Sequence, residues 1–420
     1  MHIGNRIQIM RNNRNLTLKQ TADTITSTSY LAKIEEGNYP PKPHVLQALE
    51  RKFEIAQGFL TNYEHRDEDA EYILRLLQSN IVLHPDKAKE VIDVIEENYY
   101  EYLSPINLEA TYLCLKCAYF YKINDTKSAI DLYETYLIHY IDETELRSYP
   151  KLVRESFNYM MALKTFSENK IKDCTYYMEM FVDSVEQSPM KAAVIYNIAL
   201  LYGKLNLHSK AIQFGLKAKF MFEYTKKYEL LLCKTNNLLA AQHLESGLYE
   251  EALQYLNQAE LPASRYGYTN LLSLIYHNKG LIYTDLENYT EAKNFFQKAI
   301  NLELTEGRNP LPVTYKSFID LLVISEEKEL GIELYESMIN NEKLHLDQHQ
   351  ITILFTNFIL KYLNEEKYMT ELHNAIEHYE NTQEKNILYD VYHSLGDYYY
   401  QESDYKQASF YFKKALKIKE

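Results

Sequence analysis

Apolar positions follow helical spacing from the first residues. Ile3, Ile7, Ile9 and Met10, with Arg6 and Arg11 between them, read as a short amphipathic helix. Thr17 and Gln20 have the S/T-x-x-E/Q spacing of a capping box, so a helix is expected to begin at Thr17. The run Ile25-Thr26-Ser27-Thr28-Ser29 is β-branched and hydroxyl-rich, poor for a helix interior and suited to a turn and an N-cap. A second helix, Tyr30 to Glu36, then stops at Gly37, the usual residue past a helix C-terminus. Two short helices joined by a tight turn predict a helix-turn-helix.

From about residue 69 a longer pattern recurs. Tyr276, Gly280 and Tyr283 are followed by Ala292, Phe296 and Ala299; Tyr392, Gly396 and Tyr399 are followed by Ala408, Phe412 and Ala415. Both follow the tetratricopeptide pattern W-x2-L-G-x2-Y…A-x3-F, with Tyr in place of the opening Trp. Small residues anchor successive second helices at Ala129, Cys174, Ala211, Ala252, Ala292, Gly331, a poorly defined place near Thr370, and Ala408. An earlier pair centres on Ala88, which makes eight or nine repeats. Small side chains recur because the two helices of a repeat cross there at close range.

Composition agrees. Gly and Pro number 11 and 10 in 420 residues, well under the average combined share of about 12%, so folds that need a turn residue at every strand end are disfavoured. The expected fold class is all-α: a λ-repressor-like helix-turn-helix domain over 1–66, then a right-handed tetratricopeptide superhelix over 67–420. No apolar leader or span is visible and the four cysteines make no disulfide framework, so a cytoplasmic protein without membrane contact is expected. The net charge of −14 is uneven: residues 1–66 carry nine Lys+Arg against six Asp+Glu. Only that segment suits phosphate.

The passages IGNRIQIMR, LTLKQTA and SYLAKIEEGNYPPKPHVLQALE resemble the Xre-type DNA-binding domain. The turn is a residue shorter than that family's common form, with Thr26 or Ser27 where Gly is usual, a variant similar to that of PlcR-type receptors. The start of the recognition helix must face the major groove with donors and acceptors. Thr28, Ser29 and Tyr30 match that place, with Lys33 one turn on; Thr17, Lys19 and Gln20 match the phosphate contacts. A single strong donor on the reading surface implies weak binding by one module, so a homodimer, or a higher homo-oligomer, on two half-sites of double-stranded operator DNA is expected.

First helices of tetratricopeptide repeats line a concave face, the usual place for a peptide or partner protein. Its inward positions hold Tyr159, Asn197, Lys234, Asn237, His277 and Asn278, with Lys204 further along one of the same helices. Asn197 and Asn278 occupy identical repeat positions. A carboxamide donates to a backbone carbonyl and accepts from a backbone N–H at once, which clamps an extended peptide; Lys204 or Lys234 would take a peptide carboxylate. An abundance of Asn throughout the chain explains the same residues without a ligand.

Joined in this order, the two halves resemble the peptide-pheromone receptors of Gram-positive bacteria, the Rap–Rgg–NprR–PlcR–PrgX superfamily, with a length and repeat number most like its NprR branch. The resemblance implies a quorum-sensing transcription regulator switched by a short signalling peptide. The alternatives are a repeat protein that sequesters another protein, such as a response regulator, and a Rap-like phosphatase. The last is disfavoured because the DNA-binding domain occupies the place of the phosphatase bundle. Cys114-x2-Cys117 has no second Cys/His pair at zinc spacing, and neither P-loop, GxGxxG nor HExxH occurs, so no metal, cofactor or enzymatic activity is expected.

Overall fold

The computed structural model describes residues 3–55, 57–61, 68–98, 103, 106–186, 188–225, 228–306, 312–340, 348–355, 358–359, 362, 365–380 and 385–419. Most of the described residues are helical, and none of them is in a strand. The expected boundary at residue 66 lies outside them. Two compact units are distinguished, residues 1–235 and 236–420.

Unit 1 opens with four short helices, α1 (Ile3–Asn13), α2 (Leu18–Ala22), α3 (Thr28–Glu35) and α4 (Pro43–Phe53). The capping box forms as expected: Thr17 Oγ1 accepts from the Gln20 N–H, and Gln20 Oε1 accepts from the Thr17 N–H at 2.9 Å. The second helix of the helix-turn-helix, α3, begins two residues earlier than the sequence suggested. Its N-cap is Ser27, whose hydroxyl accepts from the Tyr30 N–H, which draws Thr28 and Ser29 into the first turn. Gly37 ends it with a left-handed φ of 74°. The tight turn bends at Thr24 (φ 64°), not at Thr26 or Ser27.

Helical hairpins follow. In unit 1 they pair α5 (Glu68–Leu83) with α6 (Pro85–Asn98), α7 (Ile106–Lys122) with α8 (Thr126–Leu132), α10 (Lys151–Ser167) with α11 (Ile171–Ser184), and α12 (Pro189–Lys204) with α13 (His208–Thr225). Past α8 the helix runs on as a π-wound segment, Tyr133–Leu137, into α9 (Ile138–Tyr140). Next come α14 (Glu229–Leu244), within which the division between the units falls, and α15 (Tyr249–Arg265). In unit 2, α16 (Thr269–Asp285) pairs with α17 (Tyr289–Thr305), and α18 (Pro312–Ile324) with α19 (Lys328–Ile339). Then come α20 (Gln348–Leu354), α21 (Glu365–Tyr379), and the terminal pair α22 (Lys385–Gln401) and α23 (Tyr405–Lys419).

The anchor residues explain the pairing. Ala88, Ala129, Cys174, Ala211, Ala252, Ala292 and Ala408 all lie buried on second helices. Gly280 is tighter still: a Cβ there would meet the Phe296 ring at 2.7 Å. Thr370 is not such an anchor. It is exposed, and α21 instead buries Leu372 and Ala375.

Candidate functional site

The exposed face of α3 is built from the core of the head outward. Leu31 and Ile34 of α3 are buried, which leaves the other side of the helix to solvent. Arg11 of α1 forks onto Glu35 of α3, with Nε donating to Oε1 at 2.8 Å and Nη2 to Oε2 at 2.7 Å. The pair is largely buried, and a bidentate fork fixes orientation as well as distance. Hydrogen bonding to Glu35 raises the already high pKa of Arg11, so the guanidinium stays charged.

On this propped helix Thr28, Ser29 and Lys33 are exposed, and Tyr30 is half-buried, its hydroxyl donating to the Pro40 carbonyl at 3.2 Å. Thr17, Lys19 and Gln20, at the start of α2, are exposed as well. Sequence reasoning missed two further contributors. Tyr39 is exposed and lies under the Lys33 ammonium, 5.2 Å from nitrogen to ring centre. Lys52 donates to the Gln20 and Asp23 carbonyls, binding the C-terminal end of α2 to α4. Nothing in the local pattern marks Lys52, because its partners lie about thirty residues away.

The seven predicted peptide-contacting residues divide by burial. Asn197, Asn237 and Asn278 are half-buried, and Lys204 and Lys234 exposed. Tyr159 and His277 lie deeper. Tyr159 is fully buried, packed against Phe181 at 5.2 Å between ring centres. His277 is 6% exposed and packs on Phe296; burial lowers its pKa to about 4, so it is neutral at pH 7. A helical repeat position gives the direction of a side chain from its own axis, not the depth at which the neighbouring helix covers it.

In unit 2, the Asn278 amide donates to Asn237 Oδ1 at 3.0 Å, joining α16 to α14. One donor and one acceptor are used, which leaves the Asn237 amide and the Asn278 carbonyl oxygen for a third group. In unit 1, Lys204 lies over the Phe166 ring at 5.0 Å. A cleft of about 330 Å³ opens elsewhere in unit 2, lined by Lys316, Asp320, Tyr389 and Gln401 together with His393 and Asp397, which pair at 3.0 Å. It lies between weakly patterned repeats, which supply Lys316 and Asp320, and the well-matched first helix of the terminal pair, which supplies the rest. Among the described residues no group of His, Cys, Asp and Glu could hold a metal ion, and no helix is long and apolar enough to cross a membrane.

The class of protein follows from these two parts, a helix-turn-helix head and an array of tetratricopeptide hairpins. Residues 7–56 match a helix-turn-helix family model, and residues 231–302 and 389–420 match tetratricopeptide-repeat models. No curated protein matches the chain by sequence. Among solved structures, the apo form of the quorum sensor NprR from B. thuringiensis is similar at 19% identity and a TM-score of 0.63, over 84% of this chain and 99% of that one. The apo form of RapI gives 13% and 0.62, over 84% and 98%. NprR in complex with its cognate peptide NprX gives 19% and 0.53, over 84% and 99%. The chain therefore combines a helix-turn-helix domain with tetratricopeptide repeats and shares the helical-repeat fold of these structures.

Proposed function

We propose that this protein is a peptide-responsive transcription regulator. Its head binds duplex operator DNA, its repeats bind a short signalling peptide, and the two events are coupled. The observation that carries this reading is the exposed set Thr28, Ser29 and Lys33 on a recognition helix whose orientation the Arg11–Glu35 fork fixes. A surface prepared in this way, with Lys19 and the capped start of α2 beside it, suits base edges and phosphates together.

The peptide half rests on the carboxamides. Asn237 and Asn278 hold each other with one donor and one acceptor left over, the complement of a peptide unit in an extended chain. Asn197 offers the same chemistry at the equivalent repeat position, and Lys204 and Lys234 supply exposed cations for a carboxylate. Tyr159 and His277 contribute packing behind these helices. The NprR structure with NprX is a protein of similar fold in complex with its cognate peptide, which supports the same use here. A homodimer on paired half-sites completes the reading, since one recognition helix offers few base contacts.

Selection of bound duplexes from a random pool, followed by fluorescence anisotropy, tests the DNA half. Enrichment of a two-fold symmetric site is expected, and failure to enrich any sequence at low salt would overturn it. A screen of short unstructured peptides by thermal shift tests the other half: Asn278→Ala and Asn197→Ala should abolish any shift while leaving helix content unchanged. Capture of a folded protein partner with no peptide response would favour sequestration instead.

A further inference from the structure

Arg6 belongs to the head, yet it is buried at the junction with the repeats and is only 1% exposed. One guanidinium nitrogen donates to the Phe59 carbonyl at 3.0 Å and the other to the Leu103 carbonyl at 3.0 Å. The second also pairs with Glu109 on α7. The Phe59 ring lies 4.6 Å from the guanidinium carbon. Glu109 is itself held from the far side, its Oε1 accepting from the Tyr140 hydroxyl of α9 at 2.8 Å. Nearby, Asn13 at the end of α1 reaches the Tyr136 hydroxyl within the π-wound segment. One continuous apolar cluster runs from Ile3 and Ile7 of α1 through Leu103 and Ile106 to Tyr140.

A buried ion pair is a poor way merely to glue two surfaces. Desolvating both charges offsets much of their attraction, and apolar residues of similar volume hold such a junction about as well. What the pair adds is conditionality: removing either partner strands a charge that only water can relieve. Arg6 can reach water most cheaply if the head lifts from α7 and α9, because its other bonds are to two carbonyls at the same junction. The π segment beside it is the kind of irregular helix that often marks a functional place.

We propose that Arg6, Glu109 and Tyr140 form a latch that carries the DNA-reading head as one body with the first repeats, so that movement of those repeats reorients the recognition helix. The regulatory meaning rests on the function proposed above. The latch itself does not. It is a positioning device, since none of its residues lies on the reading face.

The experiment measures the latch without DNA or peptide. Spin labels on Gln47→Cys in α4 and Ser209→Cys in α13, both exposed positions of unit 1, report the distance between head and repeats in the full chain. The native cysteines are buried and stay unlabelled. The latched protein should give one narrow distance distribution. Glu109→Gln and Arg6→Gln should each lose the narrow peak in favour of a broad one, at unchanged helix content by circular dichroism, with Tyr140→Phe intermediate. A narrow peak that persists in both charge variants overturns the latch. If Arg6→Gln unfolds the head, Glu109→Gln, which lies outside it, decides alone. Anisotropy on a selected duplex separates the two claims: a protein that binds no DNA sinks the proposed function while the distance measurement still judges the latch.

Discussion

At the scale of single residues, strain and close approach make the sharpest predictions. Thr24 is a β-branched residue in the left-handed region, where Cβ crowds the following carbonyl at a cost of about 1–2 kcal/mol. Thr24→Gly relieves that cost, less the extra unfolded-state entropy of Gly. The variant should stabilise the turn by about 0.5–1 kcal/mol, read as slower amide hydrogen exchange in α2 and α3. Gly280 runs the other way. Ala is ordinarily the better helix former by about 1 kcal/mol, but here its methyl would press on the fully buried Phe296, and overpacking costs about 1–3 kcal/mol. Gly280→Ala should therefore lower the thermal midpoint; a rise would show that the Phe296 ring yields freely. The sequence revealed Gly280 because a repeat motif records close approach. It did not reveal Thr24, whose φ is set by how α2 and α3 pack, and no residue preference at that position announces it.

At the scale of the helical elements, burial decides protonation. His277 sits inside the α16–α17 hairpin with its pKa lowered to about 4 from an ordinary 6.5. The unfolded chain therefore binds a proton that the folded chain refuses between those values. The stability this neutral ring contributes is fully present above pH 6.5 and is lost as the pH falls toward 4, by about 3 kcal/mol at most. Chemical denaturation between pH 7 and 5 should show unit 2 weakening, and His277→Phe should flatten that slope. An unchanged slope would mean that the ring is solvated. The four thiols follow the same physics. Burial raises the Cys117 and Cys174 pKa values to about 12 and that of Cys233 to about 11, and Cys114 rises well above the thiol range. Native protein at pH 8 should consume almost no thiol reagent, with four equivalents reacting once it is denatured. Helix type and pairing were legible because Ala, Cys and Gly recur at fixed spacing. The depth of Tyr159 and His277 was not, since it depends on the helix next door, and neither was the Arg6 latch, whose partners Leu103, Glu109 and Tyr140 all lie far along the chain.

For the whole molecule, the uneven charge fixes how DNA binding should depend on salt. The chain carries −14 overall, while the first 66 residues hold nine basic against six acidic groups, so the rest of the chain is net acidic and on balance repels a phosphate backbone. Affinity must then come from a handful of head residues, and each phosphate contact released should change the slope of log K against log salt by about 0.9. Lys19 and Lys33 separate the two kinds of contact. On the proposed function, Lys19, exposed at the start of α2, would meet backbone phosphate whatever the sequence. Lys33, exposed on α3 over Tyr39, would meet a base edge. Lys19→Ala should weaken binding to matched and mismatched duplexes alike and make the salt slope shallower by about one contact per head. Lys33→Ala should instead cost about 1–3 kcal/mol on the preferred duplex and little on others, relaxing discrimination at one position of the site. If both variants behave alike across duplexes, recognition is carried by Thr28, Ser29 and Tyr30, and Lys33 serves only to hold the strand.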